Sequence, residues 1–165
     1  MRYSVRYILS KKEKRKLISE LRERLPKMAE VVKSSKKVER AKLKGGADVI
    51  LVDDLPVIVY LDNEPIPTLA LFLKYGKENV PLVKVDKGAV PHILNGADVM
   101  RPGIVQVSGV FDEGDIVLVI EERGYPIAIC KAMFSSAEIK EMKRGKVLKN
   151  IHYIRDKLWR QLFGG

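Results

Sequence analysis

The apolar positions of this chain switch between a period of two and a period near four. Tyr3-Ser4-Val5-Arg6-Tyr7-Ile8 alternates and predicts a strand. Ser10 and Glu13 have capping-box spacing, so a helix is expected from Lys11. Leu17, Leu21, Leu25, Met28 and Val32 follow at steps of four, four, three and four, which is one apolar face of a helix. Pro26 removes a backbone donor inside that stripe, so a kink or two short helices is expected. Val38–Leu43, Asp48–Val52 and Val57–Leu61 are strand candidates, separated by turn signals at Gly45-Gly46, Asp53-Asp54 and Asp62-Asn63. Asp53-Asp54-Leu55-Pro56 is expected to turn a hairpin. Pro67 suits the first position of a helix that buries Leu69, Phe72 and Leu73 and ends at Gly76.

Lys77-Glu78-Asn79 reads as a junction between domains at 1–79 and 80–165. Beyond it, Val83–Val85 predicts a strand and Ala89–Leu94 a short helix that stops at Asn95-Gly96. Pro91 is tolerated there because the first N–H groups of a helix have no helical partner. Val99 to Ile104 turns into a strand at Val105–Val107. Ile116–Ile120 and Ile127–Met133 are strong strands around an Arg123-Gly124 turn. Ser136–Lys143 is expected to be helical, capped by Ser135 or Ser136. Val147–Leu148 and His152–Ile154 read as two further strands, with Trp159 and Leu162 packing the end. Strands of this number and length predict a closed or nearly closed barrel. The fold class is therefore α+β.

Composition narrows the setting. A chain of 165 residues can bury a real core. No apolar run is long enough to span a bilayer. Ile8-Leu9 gives way at once to lysines, unlike the apolar stretch of a signal peptide. The single Cys130 excludes an intramolecular disulfide and lies in an apolar strand, as an inert core thiol would. A cytosolic protein fits these features. The net charge of +10 is unevenly spread: residues 1–44 hold sixteen Lys/Arg against five Asp/Glu, residues 45–80 two against six, and residues 81–165 thirteen against ten. Lys and Glu are plentiful while Gln appears only at Gln106 and Gln161, a thermophile's bias.

Signals for catalysis are poor. His92 and His152 are far apart and lack metal-ligand spacing, and no phosphate-binding loop, nucleophile elbow or zinc set is present. No enzyme activity, cofactor or metal is expected, and His152 reads as a structural histidine. Lys12, Lys16 and Arg22 lie on the basic side of the first helix, which is either a solvated face or a track for phosphates. Membrane binding is disfavoured, because the apolar stripe has no Trp or Phe and is needed for the core.

The segment Val85 to Ile104, VDKGAVPHILNGADVMRPGI, packs two Gly-Ala pairs, a short helix and a Pro-Gly turn together. Lys84, Lys87 and Arg101 stand at its corners. Glycine lets a partner's backbone come close, and cations beside it suit phosphates. Asp86 is placed to cap the helix.

This segment resembles the nucleic-acid-facing edge of a PUA domain, a small RNA-binding barrel. Gly114-Asp115 with IVLVI, then AICKAM, Ser135-Ser136-Ala137-Glu138, Lys143-Arg144-Gly145 and NIHYIRDKLW follow in the order of a complete PUA domain, from about Pro81 to Trp159. Upstream, PTLALFLKYG just before VDKGA, together with that ending, resembles the malignant T-cell amplified sequence family and its archaeal relatives. The resemblance implies a pre-PUA α/β domain followed by a PUA pseudo-barrel. It implies RNA contacts at Lys84, Lys87, Gly88, Ala89, His92, Asn95, Gly96, Met100 and Arg101. It further implies a factor for translation initiation or recycling at the small ribosomal subunit, with structured RNA (rRNA or tRNA) as partner. A protein with an initiation-factor-1-like domain is the partner implied by the eukaryotic relatives. The second reading is an RNA-targeting subunit of a tRNA or rRNA modification system, acting in trans. One departure stands out: the eukaryotic relatives carry an extra segment after Pro102-Gly103 and metal-ligand residues in their N-terminal half. This chain has only Val105–Asp112 there and no cysteine in that half.

Overall fold

The computed structural model describes residues 2–164. Two compact units result: one takes in the chain up to Lys77 together with Gln161 onward, the other is Glu78–Arg160.

In the first unit, β1 (Tyr3–Ile8), β2 (Val38–Leu43), β3 (Asp48–Val52), β4 (Leu55–Leu61) and β5 (Glu64–Pro67) form an antiparallel sheet in chain order. Ser10 caps α1 (Lys11–Arg24) in a complete capping box with Glu13. Leu25 is then extended at φ −154° and ψ 110°, as a residue before proline prefers, and α2 (Pro26–Lys33) restarts on the proline. The stripe survives the break: Leu17, Leu21, Leu25, Met28 and Val32 are all buried. The hairpin turns are Asp53-Asp54 and Asp62-Asn63, each with φ positive at both residues, the pattern that suits the right-handed strand twist.

Three expectations here are corrected. Pro56 lies inside β4, where the register slips between Leu51↔Pro56 and Ile50↔Ile58; a bulge accommodates the missing donor. Pro67 ends the unexpected strand β5 and does not open the helix; α3 (Leu69–Tyr75) follows Thr68. Two prolines argue against a strand, but β5 is an edge strand that can spare their N–H groups. Leu73 faces outward at 50% exposure while Leu69, Ala70, Leu71 and Phe72 are buried.

In the second unit, the order of strands is β7 (Val99–Met100), β11 (Lys146–Tyr153), β10 (Pro126–Ala132), β9 (Ile116–Ile120), β6 (Leu82–Val85) and β8 (Ile104–Ser108). The two edge strands, β7 and β8, are joined by one 3-10 turn, Arg101–Gly103. Three residues span at most about 11 Å, so the sheet must curl until its edges nearly meet. That is the nearly closed barrel, with Val83, Val85, Val117, Val119, Cys130 and Leu148 in its core. Burial pushes the Cys130 thiol pKa up and keeps it protonated. The helices are α4 (Val90–Ile93), α5 (Ser136–Glu141) and α6 (Lys157–Phe163), the last beginning in this unit and ending in the first. β11 is one strand where two were expected. A register slip between Cys130↔Asn150 and Ile129↔His152 shifts its alternation, which makes the apolar pattern look interrupted.

His152 is fully buried with Nδ1 2.9 Å from Asp156 Oδ2. Asp156 also accepts from the backbone N–H groups of Tyr153 and Trp159, capping α6. Burial pushes its pKa up, but His152 and these amides together outweigh burial and hold the carboxyl below its usual range.

Candidate nucleic-acid interface

A groove of about 680 Å³ opens beside α4. One wall is α4 and the turn that ends it. Ala97 N–H donates to His92 O and Gly96 N–H to Ile93 O, with Gly96 at φ +93°. This is a Schellman ending, and only glycine takes that left-handed position at no cost. The facing wall is Val99, Met100, Pro102 and Gly103, and Lys146 also lines the groove. A Cβ on Gly103 would come within 3.0 Å of the Ala89 Cβ, so the small pair lets the walls approach. Asn150 fixes the same corner: its Nδ2 donates to Ile93 O at 3.1 Å and to Ala97 O at 3.0 Å, and its N–H to Asp98 Oδ1 at 2.9 Å.

Of the residues expected at an RNA edge, Ala89, His92, Gly96 and Met100 line this groove. Met100 is 46% exposed there. Five others do not line it. Lys87 borders a separate cleft with Pro91, Glu121, Glu122 and Arg123. Lys84 sits mid-sheet, opposite Gln106 on one side and Ile120 on the other. Gly88 and Asn95 are exposed just outside. Arg101 is engaged internally: its Nε donates to Ile139 O at 2.6 Å and its Nη1 to Ile104 O at 3.3 Å. Its guanidinium therefore ties α5 to β8. Asp86 caps, as expected, by accepting from Ala89 N–H at 2.9 Å.

The electrostatics of the groove differ from the expectation of a cationic cradle. Two carboxylates line it, Asp86 and Asp98. Its one permanent cation is Lys146, with Nζ 3.8 Å from Asp98 Oδ2. Beside Asp86 and Asp98 the groove disfavours a phosphate and offers acceptors to N–H and O–H donors, and the rest of its lining is mostly apolar. Lys146 and Asp98 escaped the sequence reading. Lys146 lies far along the chain and meets Met100 only because β7 pairs with β11; no local spacing signals that.

In the first unit many cations are consumed in structure. Arg6 binds Glu39 and Asp54, Lys37 binds Asp54, and Arg40 and Lys42 bind Asp48. The Glu39 carboxyl is held low by the hydrogen bond from Arg6. On α1 the exposed residues Lys12 and Lys16 share a face with Glu20 and Glu23. At 3.6 residues per turn, Arg22 lies with Lys11 and Arg15 instead, a face without an acid. Among the described residues, no group of three or more His, Cys, Asp or Glu is placed to hold a metal ion, and no helix is long and apolar enough to cross a membrane.

Residues 81–154 match the PUA domain family, and residues 5–75 match a domain of unknown function, DUF1947. The chain is 40% identical over 155 residues to an uncharacterized protein of Methanocaldococcus jannaschii, covering 93% of this chain and 94% of that protein. It is 31% identical over 156 residues to translation machinery-associated protein 20 of Eremothecium gossypii, covering 88% and 86%. The crystal structure of a hypothetical protein from the archaeon Pyrococcus horikoshii matches with a TM-score of 0.79 at 38% identity, over 96% of this chain and 99% of that one.

Proposed function

The chain belongs to the family of translation machinery-associated protein 20 and the malignant T-cell-amplified sequence proteins, and from that premise we propose that it is an RNA-binding translation factor. It acts in the cytoplasm at the small ribosomal subunit and tRNA, in initiation or recycling, and it works by binding alone. The groove beside α4 takes an unpaired nucleotide. The observation that carries this is the groove's lining: exposed Met100 over an apolar floor, with Asp86 and Asp98 at the sides. A base or ribose supplies the donors those carboxylates accept, and an exposed methionine gives the flat ring a contact surface. Phosphates stay outside. The acid-free face of Lys11, Arg15 and Arg22 adds a second, sequence-independent contact, and two linked contacts raise avidity without new chemistry. A protein with an initiation-factor-1-like domain is the proposed protein partner.

Crosslinking the tagged protein to cellular RNA and sequencing the fragments tests the reading, alongside sedimentation with small ribosomal subunits. Enrichment of rRNA and tRNA, with co-sedimentation lost as salt rises, is the expected result. A chain that runs free of subunits at low salt and copurifies with an RNA-modifying enzyme overturns it.

A further inference from the structure

We propose that the turn Lys143-Arg144-Gly145 between α5 and β11, together with Lys146 that opens β11, is the phosphate-binding element of the second unit, holding the RNA strand whose unpaired nucleotide enters the groove. The proposal rests on the RNA-binding reading above and assigns the phosphate contacts to the groove's cationic rim.

Four observations carry it. All four residues of the element are exposed, and three are cations. Among the described residues, Lys143 and Arg144 have no ion-pair partner, whereas Arg123 in the same unit is held by Glu121 at 3.1 Å. The turn is also fixed to the groove. Gly145 O accepts from Arg101 N–H at 2.8 Å, and Lys146 stands opposite Met100 across β11 and β7. Finally, Gly145 takes φ +94° with nothing within 4 Å of where a Cβ would stand, so its backbone is open to an approaching strand.

These facts give Arg101 a task. Its backbone N–H holds Gly145, while its guanidinium holds the Ile139 carbonyl of α5, the helix that leads into the turn. Arg101 is thus a positioning residue for Lys143, Arg144 and Lys146. Lys146, between turn and groove, reaches the phosphate beside the inserted nucleotide. Arg144 offers a planar fork to the next phosphate and Lys143 a point charge. A backbone already held in place loses less conformational entropy on binding than a loose loop.

The test measures binding of a fluorescein-labelled RNA hairpin with unpaired tails to the full chain across a salt series. The double variant Lys143→Ala/Arg144→Ala is compared with the charge-matched double variant Lys157→Ala/Arg160→Ala, whose cations lie on α6. For two lost contacts to single-stranded phosphates, the log–log slope should become shallower by about 1.4, at about 0.7 per contact. The α6 variant should keep the slope of the unaltered chain. Equal slopes in all three proteins overturn the proposal while the RNA-binding reading stands. Equal losses in both variants also overturn it, by assigning the effect to net charge. If the unaltered chain binds no RNA at low salt, the reading and the proposal fall together.

Discussion

The side-chain amide of Asn150 donates to the Ala97 carbonyl at 3.0 Å, joining the middle of β11 to the turn that ends α4. Two residues 53 apart in sequence thereby set the shape of the groove. Asn150→Ala strands the Ala97 carbonyl and leaves the Ile93 carbonyl with the Gly96 N–H alone. It should destabilise the chain by about 1–3 kcal/mol, at the low end because the site is part-exposed. A urea titration reads that loss. RNA affinity, measured on fully folded protein, should fall as well, because the wall that carries His92 and Gly96 loosens.

Arg101→Ala should act first on stability. Two carbonyls lose a charged donor, a cost of about 1.5–3 kcal/mol for each well-made bond, less for the longer contact to Ile104. Arg101→Lys cannot reproduce the forked geometry and should rescue little of it. Thermal melts of both variants measure this. A melt unchanged from the parent would return Arg101 to the role of a free surface cation.

Met100→Ala should behave in the opposite way. The side chain is 46% exposed, so stability should shift by no more than about 0.5 kcal/mol. RNA affinity should fall at every salt concentration with the slope unchanged, because an apolar contact releases no counterions. Fluorescence anisotropy across a salt series separates the two quantities.

The pH dependence follows from Asp156. Its folded pKa is depressed, so the carboxylate stabilises the fold fully above the ordinary aspartate pKa of about 3.9, and that contribution is lost as pH falls through the folded value. The lone Trp159, whose N–H caps on Asp156, reports on this region. Its urea midpoint should drop below about pH 4 in the parent chain. Asp156→Asn should lower the midpoint near neutral pH and flatten the acid decline.

Local chemistry made much of the fold readable from sequence. The Ser10–Glu13 box, the Leu17-to-Val32 stripe and the Asp-rich turns each depend on neighbours within a few residues. β5 was hidden because its prolines are acceptable only at an edge, which is a property of the whole sheet. The site was readable in part for the same reason. Gly96 and Met100 follow from the local Gly-Ala and Pro-Gly pattern. Lys146 and Asn150 enter only through the pairing of β11 with β7 and its hydrogen bonds to the α4 turn. Arg101 misled, since a turn arginine looks exposed until the carbonyls of Ile139 and Ile104 are brought to it.

The proposed RNA path crosses the groove and the turn beside it. Mapping backbone amide shifts by NMR, as a hairpin RNA with unpaired tails is titrated into the labelled full chain, tests it most directly. The amides of Ala89 to Met100 and of Lys143 to Lys149 should move together and saturate at one RNA concentration. Shifts confined to the cleft of Lys87, Glu121 and Arg123, or no shifts in the second unit while RNA binds, would contradict it.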